Sequence, residues 1–364
     1  MTKLCETAEL QKIRDKIDSI DQQIQSLLSE RATYAQTVAA IKRDAGATTD
    51  FYRPDREAQV IRKVMERNKG PLPDDNIAFI FREIMSACLQ LQQPVKIAFL
   101  GPEGTFTHAA ANKQFGHGMI TVPLPTPEAV FREVESGAAT YGVLPVENST
   151  EGAVSHTLDC IMSSPLNITG EIEIKINQNL ISKAESFADI KKIYSHQQAL
   201  AQTRSWLDAN IPNAERLPVS STAEAVKLAA NDGSAAAISG ISAAEIYHVP
   251  VLAERIEDDP CNTTRFLVIG KNRLPPSGND KTSLLLSNKN IPGGLFKLLE
   301  PLADYQVDMT KIESRPSRQG TWDYVFFVDV LGHCEDEELK AALNRVERKS
   351  SLFKVLGSYP RAAL

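Results

Sequence analysis

Residues 262–266 place two threonines and one arginine where an acidic loop becomes an apolar run. Arginine binds a carboxylate through two parallel hydrogen bonds, and a threonine hydroxyl donates and accepts hydrogen bonds. In α/β proteins such groups often handle ligands from the end of a buried strand. The stretch therefore predicts either a polar turn that leads into an ordinary strand or part of a site for an anionic ligand.

Two further polar clusters follow apolar runs in the same way, at residues 147–150 and 195–198. Each cluster alone is typical of a capped turn, since Ser149 and Ser195 can cap a helix. Three such clusters in one segment favour a ligand site more strongly than any one of them alone. A catalytic triad cannot be inferred for His196, because the members of a triad are neighbours in space rather than in sequence.

Two cations near the N-terminus also lie in a chemically suggestive pattern. Arg31 occupies a position where an apolar stripe expects an apolar residue, and Lys42 lies eleven residues later, almost three helical turns on. The two side chains therefore share one face of a helix, whereas Arg14 points about 100° away from Arg31. Buried cations need anions. The alternative is that all three are solvated or salt-bridged.

The elements that must position these groups begin with a long helix. Apolar residues at steps of three and four between residues 10 and 41 predict an amphipathic helix of more than 30 residues. A helix of that length is too long to be covered by one small domain, so it predicts a partner helix from a second copy of the chain. Two more helices are predicted at residues 54–68 and 74–92, separated by Gly-Pro punctuation.

From residue 94 onward, short apolar runs alternate with helical stretches, which predicts an α/β domain of two lobes with a cleft between them. The predicted strands are 141–146, 168–176, 193–195, 235–238 and 266–269, and the predicted helices are 127–136, 152–163, 197–210 and 222–231. A linker at residues 275–280 precedes a βαββαβ pattern, which predicts a ferredoxin-like α+β unit. Its strands are predicted at 282–287, 309–315, 324–331 and 353–358 and its helices at 294–303 and 336–348. The domain boundaries are thus expected at 1–93, 94–274 and 275–364.

Composition excludes several classes of function. The net charge of −6 argues against a general nucleic-acid surface, and five scattered cysteines without a CxxC pair indicate reduced thiols rather than a disulfide frame or zinc site. No signal segment or membrane span is predicted, so we expect a soluble cytoplasmic protein. The glycine-rich turn after residues 95–100 lacks the third glycine of a dinucleotide site, and no GxxxxGK[ST] loop occurs. Neither metal nor cofactor is expected.

The N-terminal segment resembles the all-helical chorismate mutase family through Leu10-x3-Arg14-x2-Ile17-x3-Asp21, Glu30-Arg31, Lys42, Asp55-Arg56-Glu57 and Gln92. The family forms intertwined dimers and rearranges a dicarboxylate to prephenate, which requires a held conformer and a stabilised ether oxygen rather than a nucleophile. The resemblance implies these roles: Arg14 from the partner chain and Arg31 hold carboxylates, Lys42 and Gln92 contact the ether oxygen, Glu57 takes the ring hydroxyl, and Arg56 supports the site. Arg53 and Cys88 stand where some relatives carry an acid and a serine.

The middle segment is similar to the prephenate dehydratase family through Gly101-Pro102-x-Gly104-Thr105-Phe106-x-His108, Pro145-Val146-Glu147-Asn148-Ser149-x2-Gly152, Ser195-His196-x2-Ala199-x2-Gln202 and Asn262-x-Thr264-Arg265-Phe266. The resemblance implies two lobes like those of a type II periplasmic binding protein, with the site in the cleft. Thr264 would assist departure of the ring hydroxyl and Arg265 would clamp a carboxylate. The other cleft residues would be Thr105, Glu147, Asn148, Ser149, Ser195, His196, Gln197 and Thr263. Threonine is a very weak acid, and the sequence leaves both Glu147 and His196 open as the proton source.

The last segment resembles the ACT regulatory domain through Pro292-Gly293-Gly294-Leu295 and Glu313-Ser314-Arg315-Pro316, with Gly294 where many relatives have alanine. Glycine at a helix start lets backbone amides approach a small carboxylate. The resemblance implies that phenylalanine binds at an interface between two ACT domains, in contact with Gly293, Gly294, Leu295, Glu313, Ser314, Arg315 and Pro316. The alternative is a salt bridge between Glu313 and Arg315.

Together the three blocks predict a homodimeric or larger enzyme that converts chorismate through prephenate to phenylpyruvate, with feedback inhibition by phenylalanine. Two alternatives stay open at this point. One is a dehydratase that uses arogenate, and the other is a two-lobed binding protein without catalysis. The product formed from chorismate distinguishes all three.

Overall fold

The computed structural model describes residues 2–44, 52–288, 291–317 and 324–362. In these ranges none of the helices combines the length and the apolarity that a membrane crossing requires.

The N-terminal part is helical, as predicted. It consists of α1 (Thr2–Asp44), α2 (Pro54–Arg67) and α3 (Asp74–Gln90). Prolines at the starts of the two shorter helices fit positions whose backbone N–H would be unpaired in any case. Along α1 the apolar stripe is open: Leu10, Ile17 and Leu27 are 53%, 51% and 64% exposed. Burial of such side chains is strongly favourable, so this stripe is a surface that one copy of the chain leaves uncovered.

The middle part forms two α/β lobes, each with its own sheet. Its elements in chain order are β1 (Lys96–Leu100), α4 (Phe106–Phe115), β2 (Ile120–Leu124), α5 (Pro127–Ser136), β3 (Tyr141–Asn148), β4 (Gly152–Ala153), α6 (Ser155–Ser163), β5 (Asn167–Lys175), β6 (Asn179–Ser182), β7 (Lys192–Ser195), α7 (Gln197–Gln202), α8 (Arg204–Asn210), β8 (Glu215–Pro218), α9 (Thr222–Ala229), β9 (Ala235–Ser239), α10 (Ile241–Tyr247), β10 (Val251–Ala253) and β11 (Thr263–Gly270). The first sheet runs β2-β1-β3-β11-β5 and the second runs β8-β7-β9-β6-β10. The chain crosses between lobes twice, after β5 and before β11, so a cleft separates the lobes.

Two predicted helices differ from the structure. The predicted helix 152–163 begins only at Ser155, because Gly152 (φ +83°) turns the chain back into β4, which pairs with β3. The predicted helix 197–210 is broken at Thr203, whose hydroxyl donates to the Ala199 carbonyl at 2.9 Å. The carboxylate of Asp258 then accepts hydrogen bonds from the backbone N–H groups of Ser205 and Trp206 and caps the new helix.

The C-terminal part has the predicted βαββαβ order. It comprises β12 (Asp280–Ser287), α11 (Gly294–Asp304), β13 (Met309–Pro316), β14 (Tyr324–Leu331), α12 (Glu337–Lys349) and β15 (Leu352–Pro360). The sheet order is β13-β14-β12-β15 with all neighbours antiparallel, and α11 and α12 pack on it over a leucine- and valine-rich core. Strand β13 is an edge in this chain.

The C-terminal sheet packs directly on the first lobe through β15 and β5. A Cβ atom at Gly357 would overlap the carbonyl oxygen of Ile168, so glycine permits the close approach of the two strands. The helical part meets the same lobe through an aromatic cluster, in which Tyr52 lies 5.2 Å from Phe115 and 5.3 Å from Tyr141 between ring centroids. The first lobe therefore contacts both other parts of the chain.

Candidate active sites

The interlobe cleft holds a cavity of about 250 Å³. Its first-lobe wall includes Thr105, Asn148 and Thr264, and its second-lobe wall includes His196 and Gln202. The remaining lining residues are Leu100, Gly101, Phe106, Thr107, Pro145, Ile176, Gln178, Gln198, Ala199, Ser220, Ser221, Thr222 and Phe266. The cavity thus combines an apolar base with hydroxyl and amide groups from both lobes, which suits a small polar ligand.

Asn148 and Thr264 form a buried hydrogen-bonded pair at the base of the cleft. They are register partners on β3 and β11, and the Asn148 Nδ2 atom donates to Thr264 Oγ1 at 2.8 Å and to Asn262 Oδ1 at 2.9 Å. Backbone N–H groups of Thr150 and Glu151 donate to Asn148 Oδ1, so the amide is fixed in orientation. Because Thr264 Oγ1 accepts a bond from Asn148, its own hydrogen is directed elsewhere and can be donated to a ligand.

Thr105 reaches the cleft from a braced loop. Its hydroxyl donates to the Pro102 carbonyl at 2.9 Å and accepts from the His108 backbone N–H at the start of α4. The His108 ring stacks on Phe99 at 4.7 Å between centroids, and its Nδ1 atom accepts from the Gly104 backbone N–H. Burial lowers the pKa of His108, which favours the neutral ring that this acceptor role requires.

Two glutamines are cleft residues that the sequence interpretation left out. Gln178 Nε2 donates to Gln202 Oε1 at 3.3 Å, while Gln178 Oε1 and Gln202 Nε2 are buried and have no hydrogen-bond partner among the described residues. Buried polar atoms nearly always find a partner, so both atoms are available to a ligand. Gln202 stood inside one of the quoted motifs, whereas Gln178 follows a predicted strand without any distinguishing signal.

The structure contradicts the expectation that Arg265 clamps a ligand in the cleft. Alternation along β11 turns its side chain to the other face of the sheet. There its guanidinium contacts Glu171 at 2.9 Å, Asp329 at 2.6 Å and the Tyr359 hydroxyl at 3.0 Å. Glu147 lies on that same face, where its carboxylate binds Lys311 at 2.7 Å. Both residues therefore face the C-terminal part and not the cleft.

Four more of the expected cleft residues do not line the cavity either. Ser195 is fully buried and its hydroxyl donates to the Ile238 carbonyl at 2.7 Å, which ties β7 to β9. Gln197 is exposed on the surface. Ser149 Oγ accepts from the Thr263 backbone N–H at 3.0 Å, so these two support the turn beside Asn262. The acidic residues before that turn are structural as well: Glu257 binds the Gln178 backbone N–H and Asp259 that of Cys261.

A second cavity, of about 470 Å³, lies among the three helices of the N-terminal part. The structure brings together Arg31, Arg56, Glu57 and Gln92 in its lining, as expected. The other lining residues are Tyr34, Ala35, Val38, Tyr52, Arg53, Val60, Met85, Cys88 and Leu89. Arg14 and Lys42 do not line it. Arg14 is exposed and lies seventeen residues before Arg31 on one continuous helix, about 26 Å away along its axis.

Glu57 is the buried carboxyl group of this helical cavity. Burial raises its pKa to about 7, and the opposing effects of Arg82 at 3.9 Å and of a hydrogen bond with Tyr52 do not cancel that rise. The Tyr52 hydroxyl in turn accepts from Gln114 Nε2 of the first lobe at 3.1 Å. The cavity therefore offers three arginines, of which Arg53 pairs with Asp55, and one carboxyl group that changes charge near neutral pH.

A third pocket, of about 220 Å³, lies at the start of α11. It contains Gly293, Gly294 and Leu295 of the expected effector site, and Gly293 has a φ of +75° that favours glycine. Glu313, Ser314, Arg315 and Pro316 lie outside it on β13. The Arg315 guanidinium instead donates to the Ser155 carbonyl at 2.6 Å and pairs with Asp159 at 3.1 Å, both in the first lobe. The alternative salt bridge between Glu313 and Arg315 is not the contact that Arg315 makes.

Comparisons with known proteins match each part of the chain to a family model. Residues 13–93 match chorismate mutase type II, residues 97–274 match prephenate dehydratase and residues 282–348 match the ACT domain. A bifunctional chorismate mutase/prephenate dehydratase from Stutzerimonas stutzeri is 50% identical over 99% of this chain and 100% of its own length. One from Pseudomonas aeruginosa is 49% identical over 98% of this chain and 99% of its own length.

Among solved structures, prephenate dehydratase from Arthrobacter aurescens in complex with L-Phe is 35% identical, with a TM-score of 0.69 over 74% of this chain and 90% of that one. That likeness covers about three quarters of this chain, whereas the full-length relatives match 98–99% of it. Three matched segments in one order, together with two separate polar cavities, account for two activities in one polypeptide. The chain belongs to the bifunctional chorismate mutase/prephenate dehydratase family.

Proposed function

We propose that Thr264 is the hydrogen-bond catalyst of the dehydratase, and the Asn148–Thr264 pair is the observation that carries this assignment. In the reaction the bond from the ring to its hydroxyl breaks and the oxygen leaves with the electron pair. The bond from the ring to a carboxylate breaks as well, and its electron pair enters the ring, which becomes aromatic as carbon dioxide departs. The Thr264 hydroxyl, oriented by Asn148, donates to the departing oxygen. His196 is the titratable side chain among the lining residues and is our candidate for the proton source.

In the mutase, we assign substrate binding to Arg31, Arg56, Glu57 and Gln92 of the helical cavity. Arg31 supplies a cation for one carboxylate of chorismate, Arg56 supports the site, and Gln92 supplies an amide N–H for the ether oxygen. The open apolar stripe of α1 and the remote position of Arg14 support a dimer in which Arg14 of the partner subunit completes the site. Lys42 completes the contact to the ether oxygen in the same assembly.

For regulation, we propose phenylalanine as the ligand of the pocket at the start of α11, since the Arthrobacter aurescens relative is described in complex with L-Phe. Phenylalanine changes the dehydratase through a difference in affinity for two states of the dimer. The functional segments are assigned as 1–93, 94–274 and 275–364, in a cytoplasmic enzyme.

Incubation of the purified chain with chorismate tests the two activities together. We expect phenylpyruvate as the final product and prephenate as an intermediate. Product that stops at prephenate would exclude the dehydratase assignment, and turnover of added arogenate in preference to prephenate would change its substrate.

We expect the mutase KM for chorismate to rise about tenfold between pH 6 and pH 8, with an apparent pKa near 7. Below pH 7 Glu57 is neutral and accepts the ring hydroxyl through its carbonyl oxygen. Above pH 7 it becomes a third negative charge beside a dicarboxylate whose own groups are already ionised. In Glu57→Gln the KM should be independent of pH over this range. A variant that keeps the wild-type pH profile would place the titrating group elsewhere.

A further inference from the structure

The faces of β3 and β11 that point away from the cleft carry a cross-strand pair of charges. Arg265 is the register partner of Glu147, one residue beyond the register partners Thr264 and Asn148. Alternation along antiparallel strands puts Thr264 and Asn148 on the cleft face and Arg265 and Glu147 on the opposite face. The Asn148–Thr264 pair and the charged pair therefore occupy consecutive positions of the same two strands, on opposite faces of the sheet.

A second cross-strand pair, on the C-terminal sheet, lies against the first. Lys311 on β13 and Asp329 on β14 are register partners. Lys311 Nζ lies 2.7 Å from Glu147 Oε2, and Asp329 Oδ2 lies 2.6 Å from Arg265 Nη1. We call these four residues the charge quartet. Its two cations and two anions alternate, so each charge faces an opposite one across the domain boundary.

Burial makes the charge quartet sensitive to displacement. The side chains of Arg265, Asp329 and Lys311 are 11%, 8% and 14% exposed, whereas that of Glu147 is 36% exposed. A buried ion that loses its partner keeps its desolvation penalty, so displacement of Lys311 or Asp329 from the first lobe is unfavourable. Asp329 is fixed further by Ser283, whose hydroxyl donates to its other carboxylate oxygen at 2.5 Å.

The charge quartet is also connected to the pocket at the start of α11. Tyr324 and Phe326 line that pocket and belong to β14, the strand that also carries Asp329 near its other end. The distance from Tyr324 to Asp329 along the strand is about 17 Å. A ligand that shifts β14 shifts Asp329 as well. Asp329 contacts Arg265, which is the neighbour of Thr264 on β11, so the shift reaches the strand position of Thr264.

We propose that Lys311 and Asp329 are positioning residues through which the C-terminal domain sets the geometry of the Asn148–Thr264 pair and transmits effector binding to it. The inference rests on the proposed function, in which Thr264 acts on prephenate and phenylalanine binds the C-terminal pocket. Neither positioning residue touches substrate. Both contact side chains on the face of β3 and β11 that points away from the cleft.

Lys311→Met tests this inference, with the ratio of dehydratase kcat/KM without and with saturating phenylalanine as the readout. We expect that ratio to fall at least fivefold toward one, while calorimetry still detects bound phenylalanine and mutase activity is unchanged. Lys311→Arg should restore the wild-type ratio. Lys349→Met is the matched control, because it removes an ion pair with Glu300 inside the C-terminal domain, at 2.6 Å, without reaching the first lobe.

Asp329→Asn is the second variant, since it keeps the shape of the side chain and loses only its charge, and it should lower the ratio in the same way. A wild-type ratio in both Lys311→Met and Asp329→Asn would overturn the inference while the proposed function stands. A wild-type chain that converts prephenate but neither binds nor responds to phenylalanine would overturn the proposed effector, and the inference with it.

Discussion

The Thr264→Ala variant should lose dehydratase activity by about 10²- to 10³-fold in kcat, the range expected when one oriented hydrogen-bond donor to a developing negative charge is removed. Mutase activity in the same preparation should be unchanged, because the helical cavity shares no lining residue with the interlobe cleft. The measurement is the rate of phenylpyruvate formation from added prephenate, alongside the rate of chorismate consumption.

The reason for a large effect is the orientation of the hydroxyl. The backbone N–H groups of Thr150 and Glu151 hold the side chain of Asn148, which donates to the Thr264 hydroxyl. Removing that hydroxyl takes away both the acceptor of the Asn148 amide and the oriented O–H that donates to the substrate. No other hydroxyl on β11 can replace it, since Thr263 bonds to the Cys261 carbonyl at the rim. Thr264→Ser is the matched control and should keep most of the activity. Comparable losses in both variants would show that the methyl group, not the hydroxyl, is required.

Sequence patterns predict most of the architecture because the periods are clear. Steps of three and four residues predict α1, and the alternation of apolar runs with helices predicts the two lobes. The two predicted helices that differ from the structure depend on features that helical periodicity does not report. The break at Thr203 depends on capping by Asp258, which is more than fifty residues away in sequence. The short strand β4 depends on the left-handed conformation of Gly152, and the sequence does not show which of its glycines adopt that conformation.

Side-chain direction is the part of the site that the motifs do not encode. Motif membership put Arg265 and Glu147 beside Thr264 and Asn148, yet alternation on a strand sends neighbours to opposite faces. The sheet β12–β15 covers one face of the first lobe, so the other face is the one that meets the cleft. This depends on tertiary packing, which the motifs do not report. Gln178 was not predicted as a cleft residue, because its place in the cleft also depends on tertiary contacts. Its backbone N–H binds Glu257 at the point where the chain crosses to the second lobe.

The Arg31→Ala variant should show the reverse selectivity, with mutase kcat/KM reduced by about 10²- to 10³-fold and dehydratase activity on added prephenate retained. Arg31 lines the helical cavity, and truncating one partner of a buried, hydrogen-bonded charge pair costs about 2–5 kcal/mol. Each 1.4 kcal/mol corresponds to about tenfold in rate. Rates from chorismate and from prephenate, measured on one preparation, separate the two activities.

The control for this variant is Arg67→Ala, which removes an exposed arginine of α2 that lies outside the cavity and donates to the Lys63 carbonyl. It should leave both activities unchanged. Because α1 also carries the apolar stripe of the proposed dimer, sedimentation should give the same oligomeric state for Arg31→Ala and wild type. A full mutase rate in Arg31→Ala would exclude it as a carboxylate ligand. Loss of both activities together with a change in oligomeric state would show that Arg31 supports assembly rather than substrate.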